Sequence, residues 1–401
     1  MSTTGAGLDE LRARLRSWLD EHTPLGWRVR AAESDAAFVQ VQREWMATLD
    51  TGGWAVPKWP VEHGGLGATV AEQVVIAEEL QRADAPPLKV FDISLNHTGA
   101  TLIHHGTEAQ LAHLPRIRSG KAIWCQGFSE PDAGSDLASL ATRAVRDGDH
   151  YIVSGQKVWS SWGHHADWCL LLVRTNPEAP KHQGISYLLV DLTSPGVEVR
   201  PLVQMTGNAE FSEIFLDEVS VPVENLIGRE GDGWAISQTT LKTERGAFLL
   251  RRSRALDDRF AEIVHAVRGQ GLLERPDSAV AHELAGDYGQ IKILVELCRR
   301  IVGQEASFGS AGWNPSIAKL FEAELAQRVG RHALSALGLG AQRDVGVPGA
   351  LLTEQPPWVL DHLETFGLKI AGGTAEIQRN ILGEKVLGLP REPAAPEARR
   401  P

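Results

Sequence analysis

Two changes in hydrophobic period, one near residue 124 and one near residue 234, constrain the fold of this chain more than any other feature. From residue 8 to about residue 121 the apolar residues recur mostly at intervals of three and four, which is typical of amphipathic helices. Short β-rich segments occupy residues 124–233, and helical spacing then returns. Because a central sheet must be covered by the helical blocks, this order predicts an α+β multidomain protein. It has an N-terminal helical domain, a middle antiparallel β-barrel or sheet domain, and a C-terminal helical bundle.

The β-rich runs and the turns between them set the predicted domain boundaries. Turn-forming sequences, such as Asp-Gly-Asp at 147–149 and Ser-Pro-Gly at 194–196, separate the runs. The predicted strands are Trp168–Arg174, 185–192, Val197–Leu202 and 212–216, and the later predicted helices are 234–267, Ala279–Phe308 and 316–337. We therefore expect an N-terminal helical domain at 1–121, a middle β domain at 122–233, a four-helix-bundle domain at 234–392 and a disordered tail at 393–401.

The composition is that of an ordinary globular protein and excludes several classes of function. Of 401 residues, 43% are hydrophobic and 23% are charged, so a disordered scaffold or a coiled coil is not expected. The formal net charge of −11 opposes binding to a nucleic-acid backbone. The apolar runs are far shorter than the ~20 residues of a membrane helix, and the N-terminal segment has the pattern of an amphipathic helix rather than a secretory signal. We expect a cytoplasmic protein without membrane insertion.

The cysteine and histidine positions give no indication of a metal centre. Cys125, Cys169 and Cys298 are widely separated and form neither a disulfide framework nor a Cys-x-x-Cys motif. Histidine doublets occur at 104–105 and 164–165. Adjacent side chains point in different directions on a helix or strand, and no Asp, Glu or Cys set completes either doublet. The sequence therefore predicts no metal site.

Three parts of the chain resemble signature sequences of the acyl-CoA dehydrogenase family. They are GWAVPKWPVEHGGLG at 53–67, SEPDAGSD at 129–136 with GQKVWSS at 155–161, and GGTAEIQRN at 372–380 followed by VLGLP at 386–390. With the domain order, the resemblance covers about residues 8–392. It implies the family's fold and FAD-dependent oxidation of a saturated acyl-CoA thioester to the trans-2-enoyl thioester, as in fatty acid β-oxidation. It also implies a homodimer or homotetramer that passes electrons to an electron-transfer flavoprotein.

The second of these parts contains a polar loop that can present hydroxyls and backbone N–H groups to an anion, since Gly134 permits a left-handed turn. The resemblance implies that this loop and the strand after it contact FAD. It implies that Trp159 packs on the isoalloxazine ring and that Ser129 and Ser161 lie at the polar edge of the ring. The cofactor-binding residues that it implies are Phe128, Ser129, Ser135, Trp159, Ser161, Thr374 and Glu376.

The expected catalytic base also follows from the resemblance. Many family members carry a glutamate two residues before the threonine of a Gly-Thr pair, where this chain has Gly372. Another subset places the base on the first helix after the β domain, where this chain reads Lys-Thr-Glu-Arg-Gly at 242–246. The resemblance therefore implies that Glu244 removes the Cα proton, with a pKa raised by burial beside flavin and substrate. The implied substrate-binding residues are Ser135, Arg245, Gly372 and Gly373.

A glycine at position 372 has a further consequence for the expected substrate. In relatives the backbone N–H at this position holds the thioester oxygen, and glycine retains that N–H. The missing side chain leaves room near the thioester. We therefore expect an acyl group bulkier than a short straight chain, either branched, long or ring-bearing.

One departure from the family pattern leaves alternatives open. Many relatives use an Arg-x-x-Phe-Gly motif to contact the FAD of a neighbouring subunit, but residues 269–286 lack this motif, and Ser-Phe-Gly at 307–309 lacks the arginine. One alternative is a non-catalytic or half-site subunit of a hetero-oligomeric acyl-CoA dehydrogenase. Another is an oxygen-using relative of the same fold, such as a flavin monooxygenase or oxidase. An acyl group on a carrier protein in place of CoA also remains open.

Overall fold

A computed structural model describes residues 5–242, 247–274, 278–308, 312, 314–342 and 357–391. Three predictions of the sequence analysis fall outside these ranges: the catalytic Glu244, the neighbouring Arg245 and the disordered tail at 393–401. Within the described ranges, helices precede and follow a single sheet. The predicted order of helical, β and helical regions is therefore confirmed.

Residues 5–118 form the first helical region, and two of its long helices begin at polar caps. Its α-helices are α1 Gly5–His22, α2 Trp27–Ala31, α3 Asp35–Thr51, α4 Val70–Arg82, α5 Gly99–His105, α6 Glu108–Leu111 and α7 Leu114–Arg118, with a π-helical turn, Ile93–Thr98, before α5. The Ser34 hydroxyl accepts the Ala37 N–H at the start of α3, and Thr69 and Glu72 form a capping box at the start of α4. Large side chains such as Trp45 are buried between the helices.

The middle region is one sheet of eight strands. They are β1 Trp124–Gly127, β2 Arg143–Asp147, β3 His150–Ser161, β4 Trp168–Arg174, β5 Ile185–Asp191, β6 Val197–Leu202, β7 Phe211–Pro222 and β8 Leu226–Ile227. The order is β6-β7-β3-β2-β4-β5-β8, with β1 beside β4, so the sheet is open and not closed into a barrel. Most pairs are antiparallel, as predicted, but β1 and β2 each pair in parallel with β4. Cys125 and Cys169 lie opposite each other as buried free thiols.

The chain returns to helices after the sheet. They are α8 Gly233–Lys242, α9 Ala247–Gly269, α10 Ala279–Phe308, α11 Asn314–Leu337, α12 Trp358–Leu368 and α13 Ala375–Ile381. Helices α9, α10 and α11 contact one another, and α12 and α13 pack on α11. Their buried apolar residues, such as Ile291 and Leu325, form a core distinct from the cores of the sheet. No helix in the described ranges has the length and apolar composition needed to span a bilayer.

The first helical region contacts both other regions, and these contacts position the candidate site. The Gln110 amide donates hydrogen bonds to the carbonyls of Glu224 and Leu226, at 2.7 and 3.0 Å, and so joins α6 to the end of the sheet. Arg254 of α9 pairs with Glu78 of α4. The region therefore bridges the sheet and the C-terminal helices.

Candidate active site

The polar loop after β1 is anchored by a buried ion pair. The Lys157 ammonium lies 2.7 Å from the Glu130 carboxylate and donates a second hydrogen bond, of 3.1 Å, to the Phe128 carbonyl. The Glu130 carboxylate also accepts the backbone N–H groups of Ala141 and Thr142, at 2.6 and 2.9 Å. Both ends of the loop are therefore fixed to one pair of charges.

Burial and ion pairing shift the pKa values of Lys157 and Glu130 in opposite directions. Burial lowers the pKa of Lys157 to about 8, although the charge of Glu130 opposes the shift. Burial by itself would raise the pKa of Glu130, but the Lys157 charge and the donated hydrogen bonds hold that pKa below its usual value. Both groups are therefore charged at neutral pH, and the loop that carries Ser129 and Ser135 is held at its base.

Trp159 projects from the sheet at an irregular point of β3. The pairing of β3 with β7 shifts register around this residue, and its backbone is left-handed, with a φ of 61°. Such a conformation costs a non-glycine residue about 1–3 kcal/mol, so the surrounding structure must impose it. The indole is 58% exposed and meets the Phe211 ring edge-on, with 5.8 Å between centroids. The polar loop adjoins it, since the Val158 N–H donates to the Ser129 carbonyl at 2.9 Å.

The three serines of the predicted set keep their hydroxyls available. Ser129 and Ser161 are half-buried and Ser135 is exposed, and none of these hydroxyls has a hydrogen-bond partner among the described residues. Phe128 differs, because its ring is buried and packs edge-on against Tyr187 at 5.6 Å. Its side chain therefore belongs to the core, and only its backbone lies on the loop. Together the loop and Trp159 can hold a large flat ring with a polar edge.

The predicted turn at residues 372–373 is built from two left-handed glycines. Gly372 has a φ of 64° and Gly373 a φ of 86°, conformations that glycine adopts without strain. The Gln378 amide donates to the Gly372 carbonyl at 3.0 Å, and the Lys319 ammonium donates to the Gly373 carbonyl at 2.5 Å. The Gly372 N–H has no acceptor among the described residues, and a Cβ placed on Gly372 would meet nothing within 4 Å. The turn therefore presents an N–H donor, and no described residue fills the space beside its Cα.

Thr374 and Glu376 continue this turn into α13. The Thr374 hydroxyl accepts the Ile377 N–H at 3.2 Å and so caps the helix. Glu376 is exposed, and hydrogen bonds from its own backbone N–H and from Thr374 hold its pKa below the usual value. Both residues thus have a local structural role at the helix start.

The structure arranges the predicted residues in two groups. Residues 128–136 adjoin 159–161 through β3, whereas residues 372–376 form the turn before α13 and the start of that helix. In the part of the chain that the structure describes, no hydrogen bond or ion pair joins the two groups directly. The predicted base, Glu244, and its neighbour Arg245 fall outside that part.

Charged residues that the sequence analysis did not single out lie where the three regions meet. The Glu364 side chain on α12 is exposed, yet partial desolvation by the protein around it raises its pKa to about 7. Lys89 of the first region opposes this rise, and Glu210, just before β7, adds to it. Burial raises the pKa of Glu210 as well. No motif joins these residues in the sequence, since each comes from a different region.

The two histidines of the second doublet are arranged differently from the expectation for a helix or strand. The rings of His164 and His165 do not point apart, because their centroids lie 4.1 Å from each other. Both Nε2 atoms approach the same carboxylate oxygen of Asp35, on the N-terminal turn of α3, at 3.2 and 2.5 Å. Asp35 supplies the carboxylate that the sequence analysis did not find.

Comparison with known proteins gives matches along almost the whole chain. Three family models match in order: the N-terminal domain of acyl-CoA dehydrogenase at residues 7–121, its middle domain at residues 125–219 and its C-terminal domain at residues 231–387. The acyl-CoA dehydrogenase IpdE1 of Mycobacterium tuberculosis is 36% identical over 396 residues, which cover 96% of this chain and 98% of the relative. FadE26 of the same organism, another acyl-CoA dehydrogenase, is 35% identical, with 96% of this chain and 97% of the relative covered.

Solved structures also match almost the whole chain. The steroid ACAD (acyl-CoA dehydrogenase) Tcur3481-Tcur3483 superposes with a TM-score of 0.82 at 31% identity and covers 97% of this chain and 99% of the matched chain. The ChsE4-ChsE5 complex from Mycobacterium tuberculosis gives a TM-score of 0.76 at 34% identity, with 98% of this chain and 100% of the matched chain covered.

Proposed function

Because the chain belongs to the acyl-CoA dehydrogenase family, we propose that it catalyses the FAD-dependent α,β-dehydrogenation of a bulky acyl-CoA to the trans-2-enoyl-CoA. The membership confirms the resemblance of the sequence segments and identifies the chain as an oxidoreductase. The observation that carries the finer proposal is the turn at Gly372, which presents an N–H donor beside space that no described residue fills and has no side chain to act as a base.

The residues around Trp159 fit a bound flavin dinucleotide. The exposed indole offers a flat surface for a ring, and the hydroxyls of Ser129, Ser135 and Ser161 can donate to the polar ring edge or to the phosphates. The strained backbone of Trp159 supports this role, because strain of this kind persists at ligand-binding positions. FAD, when bound, supplies the acceptor for the hydride that leaves the substrate Cβ.

Glu244 is the proposed base for the Cα proton. The described carboxylates around the turn suit this task poorly. Glu376 is exposed with a lowered pKa, and Glu322, although burial raises its pKa, is paired with Arg252 at 2.7 Å. A base for a weakly acidic carbon needs a pKa near the working pH. Glu364 has such a pKa, about 7, and is the rival that the experiment below must exclude.

The Gly372 N–H is the proposed donor to the thioester oxygen. Negative charge accumulates on that oxygen as the Cα proton leaves, and a well-placed donor stabilises such a transition state by about 3 kcal/mol in other enzymes. Gln378 and Lys319 hold the two carbonyls that follow this N–H in the turn, which restricts the backbone on which it lies. Glu244 is thus the proposed group for proton removal, and the Gly372 N–H is the proposed group for charge stabilisation.

The substrate class follows from the space at Gly372 and from the relatives. An acyl chain with a ring system near the thioester needs room that a side chain at position 372 would occupy, and no described residue fills that room. One matched structure is a steroid ACAD. We therefore assign to this chain a ring-bearing acyl-CoA of the steroid class rather than a short straight chain.

The missing Arg-x-x-Phe-Gly motif favours assembly with a second, related chain that completes the FAD site. The matched ChsE4-ChsE5 structure is itself a complex of two named chains. A hetero-oligomer therefore replaces the homodimer or homotetramer as the proposed assembly, and an electron-transfer flavoprotein is the proposed electron acceptor. If the chain purified alone binds FAD stoichiometrically and turns over substrate, the hetero-oligomer is excluded.

The proposed reaction is tested by adding acyl-CoAs to the flavin-loaded protein without oxygen. Steroid-ring acyl-CoAs should bleach the flavin absorbance, whereas butyryl-CoA should bleach it far more slowly. Highest turnover on butyryl-CoA would contradict the substrate class. Fast reoxidation by air alone would indicate an oxidase instead of a dehydrogenase.

Three variants test the base. Glu244→Gln should retain FAD and lose at least ~100-fold in the rate of bleaching, because removing a general base costs roughly 10²- to 10⁴-fold. Glu296→Gln, on the exposed face of α10, is the matched control and should retain full activity. If Glu364→Gln loses activity while Glu244→Gln keeps it, the base is Glu364 and our assignment is wrong.

A further inference from the structure

We propose that Asp35, His164 and His165 form a binding site for one divalent transition-metal ion at the boundary between the first helical region and the sheet. Their three ligand atoms, two imidazole Nε2 atoms and one carboxylate oxygen, all lie within 4.8 Å of one another. This proposal departs from the sequence-based prediction of no metal and does not depend on the proposed dehydrogenase reaction.

The backbone before the doublet brings the two histidines together. Trp162 adopts a left-handed conformation with a φ of 54°, and a single 3₁₀ turn, Gly163–His165, follows it. In this tight turn, both imidazoles emerge on the same side of the chain, with 4.1 Å between their centroids. A strand or a long helix would separate neighbouring side chains. The left-handed Trp162 therefore places both imidazoles on one face of the turn.

The carboxylate comes from a different region of the chain. Asp35 begins α3, and its Oδ2 atom lies 3.2 Å from Nε2 of His164 and 2.5 Å from Nε2 of His165. Two imidazoles and one carboxylate are thus collected at one point.

Ser212 orients one of the rings. Its Oγ atom lies 2.9 Å from Nδ1 of His164 and accepts the His164 backbone N–H at 3.0 Å. Metal-binding histidines commonly bond through their other ring nitrogen to a fixed polar group, which holds the ring and selects the tautomer. In the tautomer with Nδ1–H donating to Ser212, the Nε2 lone pair of His164 is available to a cation, which would take the place of the proton shared with Asp35.

The donor set selects the kind of metal. Two histidine nitrogens, one carboxylate oxygen and an open position for water are the ligands of mononuclear Zn²⁺ sites, and imidazole also suits Co²⁺ and Ni²⁺. The Asp35 side chain is 52% exposed, which provides access for the ion and for a water ligand. Ligands about 2.0–2.1 Å from zinc lie about 3.3 Å apart in a tetrahedron. The 3.2 Å between Asp35 Oδ2 and Nε2 of His164 already matches this spacing.

An ion at this position would clamp two regions beside the candidate active site. The Phe38 ring on α3 packs against Trp162 at 5.6 Å, and the Trp162 N–H donates to the Glu210 carbonyl at 2.7 Å. Trp162 is three positions from Trp159 in the chain. The proposed role is structural: the ion fixes α3 against the turn that follows β3.

Zinc titration of the full-length, EDTA-stripped protein tests the site. Calorimetry with ZnCl₂ should show one ion bound per chain, and the thermal midpoint should rise with zinc concentration, because an ion that binds only the folded state stabilises it. Co²⁺ should give the absorption bands of a tetrahedral complex. Absence of saturable binding, with the histidines acting only as hydrogen-bond donors to Asp35, would overturn the proposal.

Variants locate the ion on the chain. Asp35→Asn and His165→Gln should each weaken zinc binding by at least 10-fold, and Ser212→Ala should weaken it about 10-fold through loss of ring orientation. His104→Gln, in the other doublet, is the matched control and should bind zinc as the unaltered protein does. Equal affinity in Asp35→Asn and the unaltered protein would place the ion elsewhere. Asp35→Asn preserves the shape of the side chain, and circular dichroism verifies that each variant is folded.

Discussion

The Lys319 ammonium, on α11, lies 2.5 Å from the Gly373 carbonyl oxygen and ties the proposed oxyanion turn to the helical bundle. Burial lowers the pKa of Lys319, and the nearby Arg252 charge adds to this effect. Arg252, on α9, is itself paired with the buried Glu322 of α11 at 2.7 Å. Helix α9, which follows Glu244 in the chain, is therefore attached to α11. The Gly372 turn is attached to the same helix.

Lys319→Met should lower kcat about 10-fold with little change in KM, because the turn loses the contact that directs its N–H. The unpaired Gly373 carbonyl should also cost about 1–3 kcal/mol in the free energy of unfolding. Lys319→Arg should restore most of the rate. A purely structural role predicts less folded protein with an unchanged kcat per bound flavin, so steady-state kinetics normalised to flavin distinguish the two.

The Lys157–Glu130 pair should behave as one unit in stability. Lys157→Met leaves a buried carboxylate without its partner and should cost about 3–5 kcal/mol in the free energy of unfolding. The double variant Lys157→Met with Glu130→Gln should recover part of this loss. Urea denaturation of both single variants and of the double variant measures the coupling, and additive losses would contradict the pairing.

Glu364 should make stability depend on pH. Its folded-state pKa, about 7, lies above the ordinary value of 4.5, so between these values the folded protein binds more protons than the unfolded chain, and stability falls as pH rises. Glu364→Gln should therefore stabilise the protein at pH 8, by about 1 kcal/mol after allowance for solvent access, and change little at pH 4. Urea denaturation at the two pH values checks the sign. A larger gain at pH 4 would refute the assignment.

Trp159→Gly should separate stability from cofactor binding. Glycine adopts the left-handed conformation without strain, so the free energy of unfolding without flavin should stay level or rise by about 1 kcal/mol. Loss of the exposed indole should at the same time weaken flavin binding. Thermal unfolding of the apoprotein and the ratio of flavin to protein report the two effects. Full flavin retention would remove Trp159 from the proposed site.

Hydrophobic period predicted the elements whose pattern is regular. The bounds of β4, β6 and α10 agree with the prediction, because each is a single uninterrupted run. β7 extends from Phe211 to Pro222, beyond the predicted 212–216, because Asp217 and Glu218 break the alternation where Glu218 has a φ of 52°. β3 was not predicted, since polar residues at 155–157 and the irregular Trp159 obscure its period. The sequence pattern alone does not reveal an irregular strand, which becomes evident only from its pairing with neighbouring strands.

In the candidate site, too, the sequence predicted only the features that form one continuous segment. The loop at 129–136 and the turn at 372–373 are contiguous and were found as motifs. The contacts that hold them are not contiguous: Lys157 and Glu130 are 27 positions apart, Lys319 and Gly373 are 54 apart, and His165 and Asp35 are 130 apart. Nothing in one sequence marks such pairs, because tertiary folding alone brings them together.

Gly372→Glu should move the base to the position that many relatives use. A Cβ at this residue meets no described atom within 4 Å, so the side chain can be accommodated, with a backbone strain of about 1–2 kcal/mol at a φ of 64°. Combined with Glu244→Gln, it should restore dehydrogenation of butyryl-CoA but not of ring-bearing acyl-CoAs, because the new carboxylate occupies the room that those rings need. Anaerobic flavin bleaching with both substrates measures this exchange. Equal recovery of activity on both substrates would show that the space at Gly372 does not set specificity. No recovery of activity on either substrate would show that the turn does not face the substrate Cα.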